Sequence, residues 1–119
     1  MSDSLLFIGW DRPARGRETA AVAAFGEGVQ YFGELKARGE IESFEPFFLE
    51  AHGGDLNGFF LVCGEQVNLD RLRYDDERFQ RWLTRAELNV DGIGVLRAVT
   101  GAALAQGMAV FTEAIAGLD

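Results

Sequence analysis

Cysteine and histidine each occur once in 119 residues, proline twice, and acidic side chains outnumber basic ones 19 to 11. Each scarcity removes a class of protein. A single cysteine, Cys63, excludes an intramolecular disulfide, and its place in an apolar run makes it a small buried hydrophobe rather than a nucleophile. One histidine, His52, with scattered carboxylates does not make a ligand set, so neither a metal nor another cofactor is expected. The net charge of -8 repels phosphate backbones and anionic membranes, which argues against nucleic acid or a membrane as partner. No Pro- or Ser-rich linker divides the chain, whose length is near the usual ~100–150 residues of one domain, so residues 1–119 are expected to form a single domain. The start, Met1-Ser2-Asp3-Ser4, lacks the basic stretch and cleavage site of a signal peptide. With the unpaired cysteine this points to a reducing, cytoplasmic compartment.

What is present is apolar. Leu5 to Trp10 and Phe59 to Cys63 are apolar at nearly every position, without the alternation of a strand that has one wet face. Both faces of such a sheet must be covered. A chain this short has helix enough for one face, so the other is expected to meet a second copy, a small molecule, or both. The ten phenylalanines imply a bulky interior.

The first strand runs into Asp11-Arg12-Pro13 and Gly16, which punctuate a loop. A helix follows from about residue 17 to 38, with Val22, Phe25, Val29, Phe32 and Leu35 as the apolar stripe expected to face the core and Gly39 as its C-terminal cap. Gly26, Gly28 and Gly33 each cost ~1 kcal/mol of helix propensity relative to Ala, so packing or close backbone approach must compensate. Phe44 to Ala51 reads as a second strand, and Glu45, Pro46 and Glu50 mark it as a sheet edge. The turn His52-Gly53-Gly54-Asp55-Leu56-Asn57-Gly58 returns the chain into the third strand. Because that glycine-rich turn joins two strands, it is no phosphate loop, which would need a helix after it. Asn68 is read as a helix N-cap before Leu69 and Leu72, and a longer segment after Asp75 puts Phe79, Trp82 and Leu83 on one side, ending near Leu88. Arg71, Arg73, Arg78, Arg81 and Arg85 alternate there with acids, the pattern of a solvated, salt-bridged surface. Ile93 to Val99 is the fourth strand. A C-terminal helix over about 101–118 carries Leu104, Met108, Phe111 and Ile115 on one face, expected to pack over the sheet or onto a partner. It is too weakly apolar to span a membrane.

The order strand, helix, strand, strand, helix, strand is that of an α+β, ferredoxin-like βαββαβ fold with an antiparallel sheet of order 4-1-3-2 and an added C-terminal helix. Charge placement agrees: the two central strands are uncharged, while the edges carry Glu45, Pro46, Glu50 and Arg97. The apolar first strand, the helix ending Leu35-Lys36-Ala37-Arg38-Gly39 and the return strand Gly58-Phe59-Phe60-Leu61-Val62 resemble the dimeric α/β-barrel superfamily. That group includes YciI-like proteins, cofactor-independent antibiotic-biosynthesis monooxygenases, muconolactone isomerases and stress-responsive barrel proteins. The resemblance covers roughly residues 4 to 100. It implies a homodimer with facing sheets and a cavity for a small apolar ligand. YciI-like proteins place a histidine on the first helix, and the helix here has none, so that dyad is not carried over.

Three residues are left as weak catalytic candidates. His52, near Glu50 and Asp55, is the one local acid/base constellation, although a solvated turn residue is the simpler account. Trp10 and Arg97 could line the inner face of a barrel, Trp10 stacking on a planar ring and Arg97 holding an anion or pairing with Glu50 across the dimer. Asp11, Arg12 and Arg15 stand at a sheet end where a polar ligand could be recognised. The expected protein is a small cytoplasmic homodimer, structural or small-ligand-binding in an apolar cavity. The alternative is a cofactor-independent monooxygenase or isomerase acting on a planar apolar metabolite.

Overall fold

The computed structural model describes residues 2–118. Its elements are β1 (Ser4–Trp10), α1 (Glu18–Ala37), β2 (Ser43–Phe48), β3 (Gly58–Cys63), α2 (Gln66–Asp75), α3 (Glu77–Asn89), β4 (Gly94–Val99) and α4 (Gly101–Ala116). The strands form one antiparallel sheet ordered β2-β3-β1-β4, the expected order read from its other edge. The uncharged strands β1 and β3 lie at its centre, where each pairs on both sides. Proline at position 46 is tolerated because β2 is an edge and has one neighbour.

The core is built on one sheet face. Leu6, Ile8, Phe60 and Val62 pack with Tyr31, Phe32, Leu35, Leu69, Leu72, Phe79 and Trp82. In α1 the buried residues are Ala21, Ala24, Gly28, Tyr31, Phe32 and Leu35, with Phe25 and Val29 packed against their border. Val22, expected in that stripe, is 70% exposed. The stripe is rotated because bulky partners come from the other side: Trp82 and Phe60 need small α1 residues beneath them. Gly28 shows why, since a Cβ there would lie 2.9 Å from Trp82 Cζ2 and 3.0 Å from Phe60 Cε2. Gly26 and Gly33 would meet nothing, so close approach explains one of the three helix glycines.

Three local boundaries differ from the sequence reading. β2 ends at Phe48 rather than Ala51, because after the Leu49 N–H to Asn57 carbonyl bond (2.9 Å) the chain turns away into the loop held by His52. Asn68 lies inside α2, whose N-cap is Glu65. The helical segment after β3 breaks into two helices at Asp76, an extended residue that ends α2 and caps α3 by accepting the Phe79 N–H at 3.0 Å.

α4 does not pack over the sheet. None of its residues is buried, and Phe111 is 59% exposed. Its direction is fixed at the N-terminus by Asp3: Thr100 N–H donates to the Asp3 carbonyl (2.9 Å) and Ala103 N–H to Asp3 Oδ2 (3.3 Å). Gly101 adopts φ 57° there, and a Cβ would be 2.5 Å from Asp3 Oδ1. With the helix standing off, the radius of gyration is 16.4 Å, against about 13–14 Å for a compact chain of this length.

Candidate functional site

Between the sheet and helices α1 and α3 lies an apolar cavity of about 30 Å³, lined by Trp10, Ala21, Ala24, Phe25, Phe60, Trp82, Ala86, Val90 and Ile93. Aromatic rings fill most of this space. Trp10 meets Phe25 and Phe60 edge-on at 6.0 and 5.0 Å, and the exposed ring of Phe48 stacks on Phe25 at 4.8 Å. The polar groups among the lining side chains are the indole N–H of Trp10 and that of Trp82, and Trp82 Nε1–H donates to the Ala24 carbonyl at 2.8 Å. What remains holds one or two waters, far less than the ~300–1,000 Å³ of a typical ligand pocket. Larger, open hollows lie at the surface: about 170 Å³ between α1 and α2 and between α1 and α3, about 450 Å³ along α3, and about 520 Å³ beside Asp11, Arg12, Asp55 and Asn57.

The sequence candidates do not converge on this cavity. Trp10 lines it. Arg97 pairs in register with Leu6, so it shares the helix-bearing face but lies four residues along β1 from Trp10, roughly 13 Å away at ~3.3 Å per residue. Neither faces the opposite, open side of the sheet, which corrects their assignment to the inner face of a barrel: the strand register decides it. Arg97 is exposed, and within the chain no ion pair to it is formed among the described residues.

His52 is a turn residue. Its Nδ1 accepts the Gly54 N–H at 3.2 Å, which leaves Nε2 to carry the proton and donate to the Leu56 carbonyl at 2.6 Å. Both nitrogens are thereby used inside the loop, and neither Glu50 nor Asp55 orients the ring. The Asp11 group is likewise occupied structurally. Asn57 Nδ2 donates to Asp11 Oδ1 at 2.8 Å while Asn57 N–H donates to the Trp10 carbonyl at 2.9 Å, latching the β2–β3 loop to the end of β1. Arg12 stands 3.8 Å from the same carboxylate.

Electrostatics give no activated group. Burial, and then the charge of Glu42, push the Cys63 thiol above its ordinary value, away from thiolate. Glu42 is held below the usual glutamate value by the Ser2 N–H, which donates to its two oxygens at 3.1 and 2.8 Å. Burial, followed by the nearby Asp76 carboxylate, raises the Tyr31 phenol, and no hydrogen bond of ordinary geometry reaches its oxygen. The arginines of α3 are paired, but two of the pairs cross to α1: Arg78 with Glu34 (2.5 Å) and Arg85 with Glu27, beside the intrahelical Arg81–Glu77 pair. The acids interleaved with them in sequence are mostly not their partners. Among the described residues, no three His, Cys, Asp or Glu side chains cluster closely enough to hold a metal ion.

The sheet's open face was not predicted residue by residue. Leu96 lies opposite Phe7, and Phe47 opposite Phe59; the two pairs are offset by two residues and joined diagonally by the rings, with Phe59 stacked between Phe7 at 4.9 Å and Phe47 at 4.8 Å. Leu5, Leu61 and Ala98 extend this surface, and Glu45 is its charge, at one edge. Leu96 is 60% exposed. Three of the phenylalanines expected inside are therefore outside, and the missing signal was that Phe59 and Phe60 must point to opposite faces.

No protein-family model matches the sequence, and no curated protein matches it. Solved structures do. A dimeric ferredoxin-like protein of unknown function from Jannaschia sp. superposes with a TM-score of 0.62 at 16% identity, over 82% of this chain and 99% of that one. A dimeric protein of unknown function with a ferredoxin-like fold from Bacteroides fragilis gives 0.59 at 7% identity, over 82% and 96%. SnoaB, a cofactor-independent oxygenase from Streptomyces nogalater, gives 0.52 at 12% identity, over 85% and 94%. The class is thus defined by fold: an α+β, ferredoxin-like chain with a C-terminal helix. The expected likeness to antibiotic-biosynthesis monooxygenases holds at the level of the backbone. Among the described residues, no helix is long and apolar enough to cross a membrane.

Proposed function

We propose that this protein is a homodimer in which the open sheet faces of two single-domain subunits meet, and that it acts as a structural or small-ligand-binding protein in a reducing compartment such as the cytoplasm. The carrying observation is the diagonal strip Leu96–Phe7–Phe59–Phe47, which runs the full width of the sheet through register pairs at its ends and the Phe7–Phe59 ring stack between them. A sheet with one such bare face is unusual for a lone subunit, because contiguous exposed apolar surface marks an interaction site. Two structural neighbours are dimeric, which supports the same reading. The aromatic filling of the helix-side cavity favours a structural role over catalysis, and a ligand of any size there has to displace rings of the lining such as Phe25. The oxygenase alternative draws on the likeness to SnoaB, whose fold is shared. It calls for a group able to move a proton beside the cavity, and Trp82 Nε1–H is already bonded to Ala24.

The test is native mass spectrometry of the purified protein with and without Leu96→Asp. A wild-type dimer that falls to monomer in the variant is the expected result, because the change puts a charge into an apolar contact. A wild-type monomer refutes the proposal. A dimer that retains a small molecule supports ligand binding or catalysis, whereas an empty dimer favours the structural role.

A further inference from the structure

α4 carries a feature that the sheet-face dimer does not use. Leu104, Met108, Phe111, Ile115 and Leu118 follow one another at spacings of four, three, four and three, the a and d positions of a heptad. All five are large, apolar and about half exposed or more. Gln106 and Glu113 are seven residues apart and occupy the f position, directly opposite that seam. The positions flanking the seam are Ala, Gly and Thr, small enough to let another helix approach closely. This is the profile of a helix built to pack against one other helix, not against a broad sheet.

Its surroundings say that such a partner is required. Within the chain α4 buries nothing, and a 16-residue helix containing two glycines is marginal in water without tertiary contacts. Folding back over the sheet would break the junction at Asp3, where two backbone N–H groups and Gly101 fix the exit angle. We infer that the occupant of this seam is the α4 of a second copy, the two helices pairing along Leu104, Met108, Phe111 and Ile115. This rests on the homodimer proposed above and extends its interface.

Three observations select a second copy. The chain carries a net charge of -8, so two copies repel each other least where their surfaces are uncharged, and α4 with the open face supplies such surface, holding Glu113 and Glu45 at their margins. A basic flank on α4 would point to an acidic partner or an anionic membrane, and α4 has no basic residue. Leu104, Met108, Phe111 and Ile115 are each about half exposed, so a symmetric pairing of α4 adds apolar area to the sheet contact, toward the ~1,200–2,000 Å² of a standard interface.

The test uses the full chain. Sedimentation equilibrium compares wild type with Phe111→Glu and Leu96→Asp, and Met108→Cys in a Cys63→Ala background is exposed to mild oxidation. Helix pairing predicts that Phe111→Glu raises the dimer dissociation constant about ten-fold or more and that Cys at position 108 yields a covalent dimer. An unchanged constant with no covalent dimer overturns the pairing. If Leu96→Asp still dissociates the protein in that case, the sheet-face reading survives, whereas a monomeric wild type overturns both. A weakened dimer without the cross-link places the seam on the partner's sheet and overturns helix pairing. So does binding to phosphatidylcholine vesicles that Phe111→Glu abolishes while the dissociation constant stays the same.

Discussion

Phe59 and Phe60 are neighbours in β3, yet they belong to opposite worlds. Phe60 is 1% exposed, packed against Trp10, Phe25, Phe32, Phe44 and Trp82. Phe59 lies on the open face, stacked between Phe7 and Phe47, with no helix above it. The helix-bearing face has solved its burial within one chain, and its aromatic rings leave room for a water or two. The open face, made from the same residue types, has not. Apolar composition is therefore common to the core and to the proposed interface, and what separates them is whether the chain itself supplies a cover. Stability of the subunit resides on one side of the sheet and assembly on the other.

The sharpest way to break this comparison is to truncate each ring in turn. Phe60→Ala should cost about 3–5 kcal/mol in urea denaturation, whatever the protein concentration, since it empties the centre of the core. Phe59→Ala should lower stability chiefly in proportion to dimer lost, so its effect should depend on protein concentration. Equal, concentration-independent losses for the two would erase the distinction between the faces. A second pair of changes sharpens it within α1. Gly28→Ala forces a methyl against Trp82 and Phe60 and should cost about 1–3 kcal/mol. Gly26→Ala, two residues away in open solvent, should stabilise by up to about 1 kcal/mol through helix propensity. Thermal melts of both variants read this directly, and the opposite ranking would mean that Trp82 is not seated where the structure puts it.

Smaller effects are expected from polar groups at the margins. His52→Ala removes the two hydrogen bonds that staple the β2–β3 loop and should cost about 1 kcal/mol, with no change in mass by native spectrometry. A ligand lost together with the ring would restore His52 as a site residue. Glu42 tests the N-terminal end of the sheet. Its folded-state pKa is depressed below 4.5 by the Ser2 N–H, so its contribution is complete above that value and fades as pH falls through the lower folded value. Glu42→Gln should lower stability at neutral pH, where the charged contact is complete, and leave it nearly unchanged in acid, so that the acid limb of the stability curve flattens. An acid limb identical to that of wild type would show that the carboxylate makes no such contact in solution.

Much of this architecture was legible because its signals are local. The uninterrupted apolar runs of β1 and β3 announced central strands, Glu45 and Pro46 announced an edge, and Gly39 closed α1 with φ 75° as a C-terminal cap requires. Val22 misled because periodicity weighs side-chain size, and here the buried stripe of α1 starts with Ala21, Ala24 and Gly28 to make room for Trp82. The break at Asp76 was half visible, as a short helix and then a longer one, but its role as the cap joining them needs backbone angles. Trp10 and Arg97 could not be placed because neither sheet face is marked by polar residues in β1, and alternation alone does not say which set faces the helices.

By itself the sequence determined the order and type of the elements, the antiparallel topology with two uncharged central strands, and an apolar stripe on the last helix. Those properties follow from nearest-neighbour chemistry, from periods of 2 and 3.6 residues, and from the cost of putting charge between two strands. Only the tertiary structure decided which phenylalanines are core and which are interface, that the cavity is closed by rings, that His52 is used up inside its own turn, and that α4 stands away from the domain. Each of these depends on strand register or on contacts between residues distant in sequence, and a shift of one residue along a strand exchanges every side chain between the two faces.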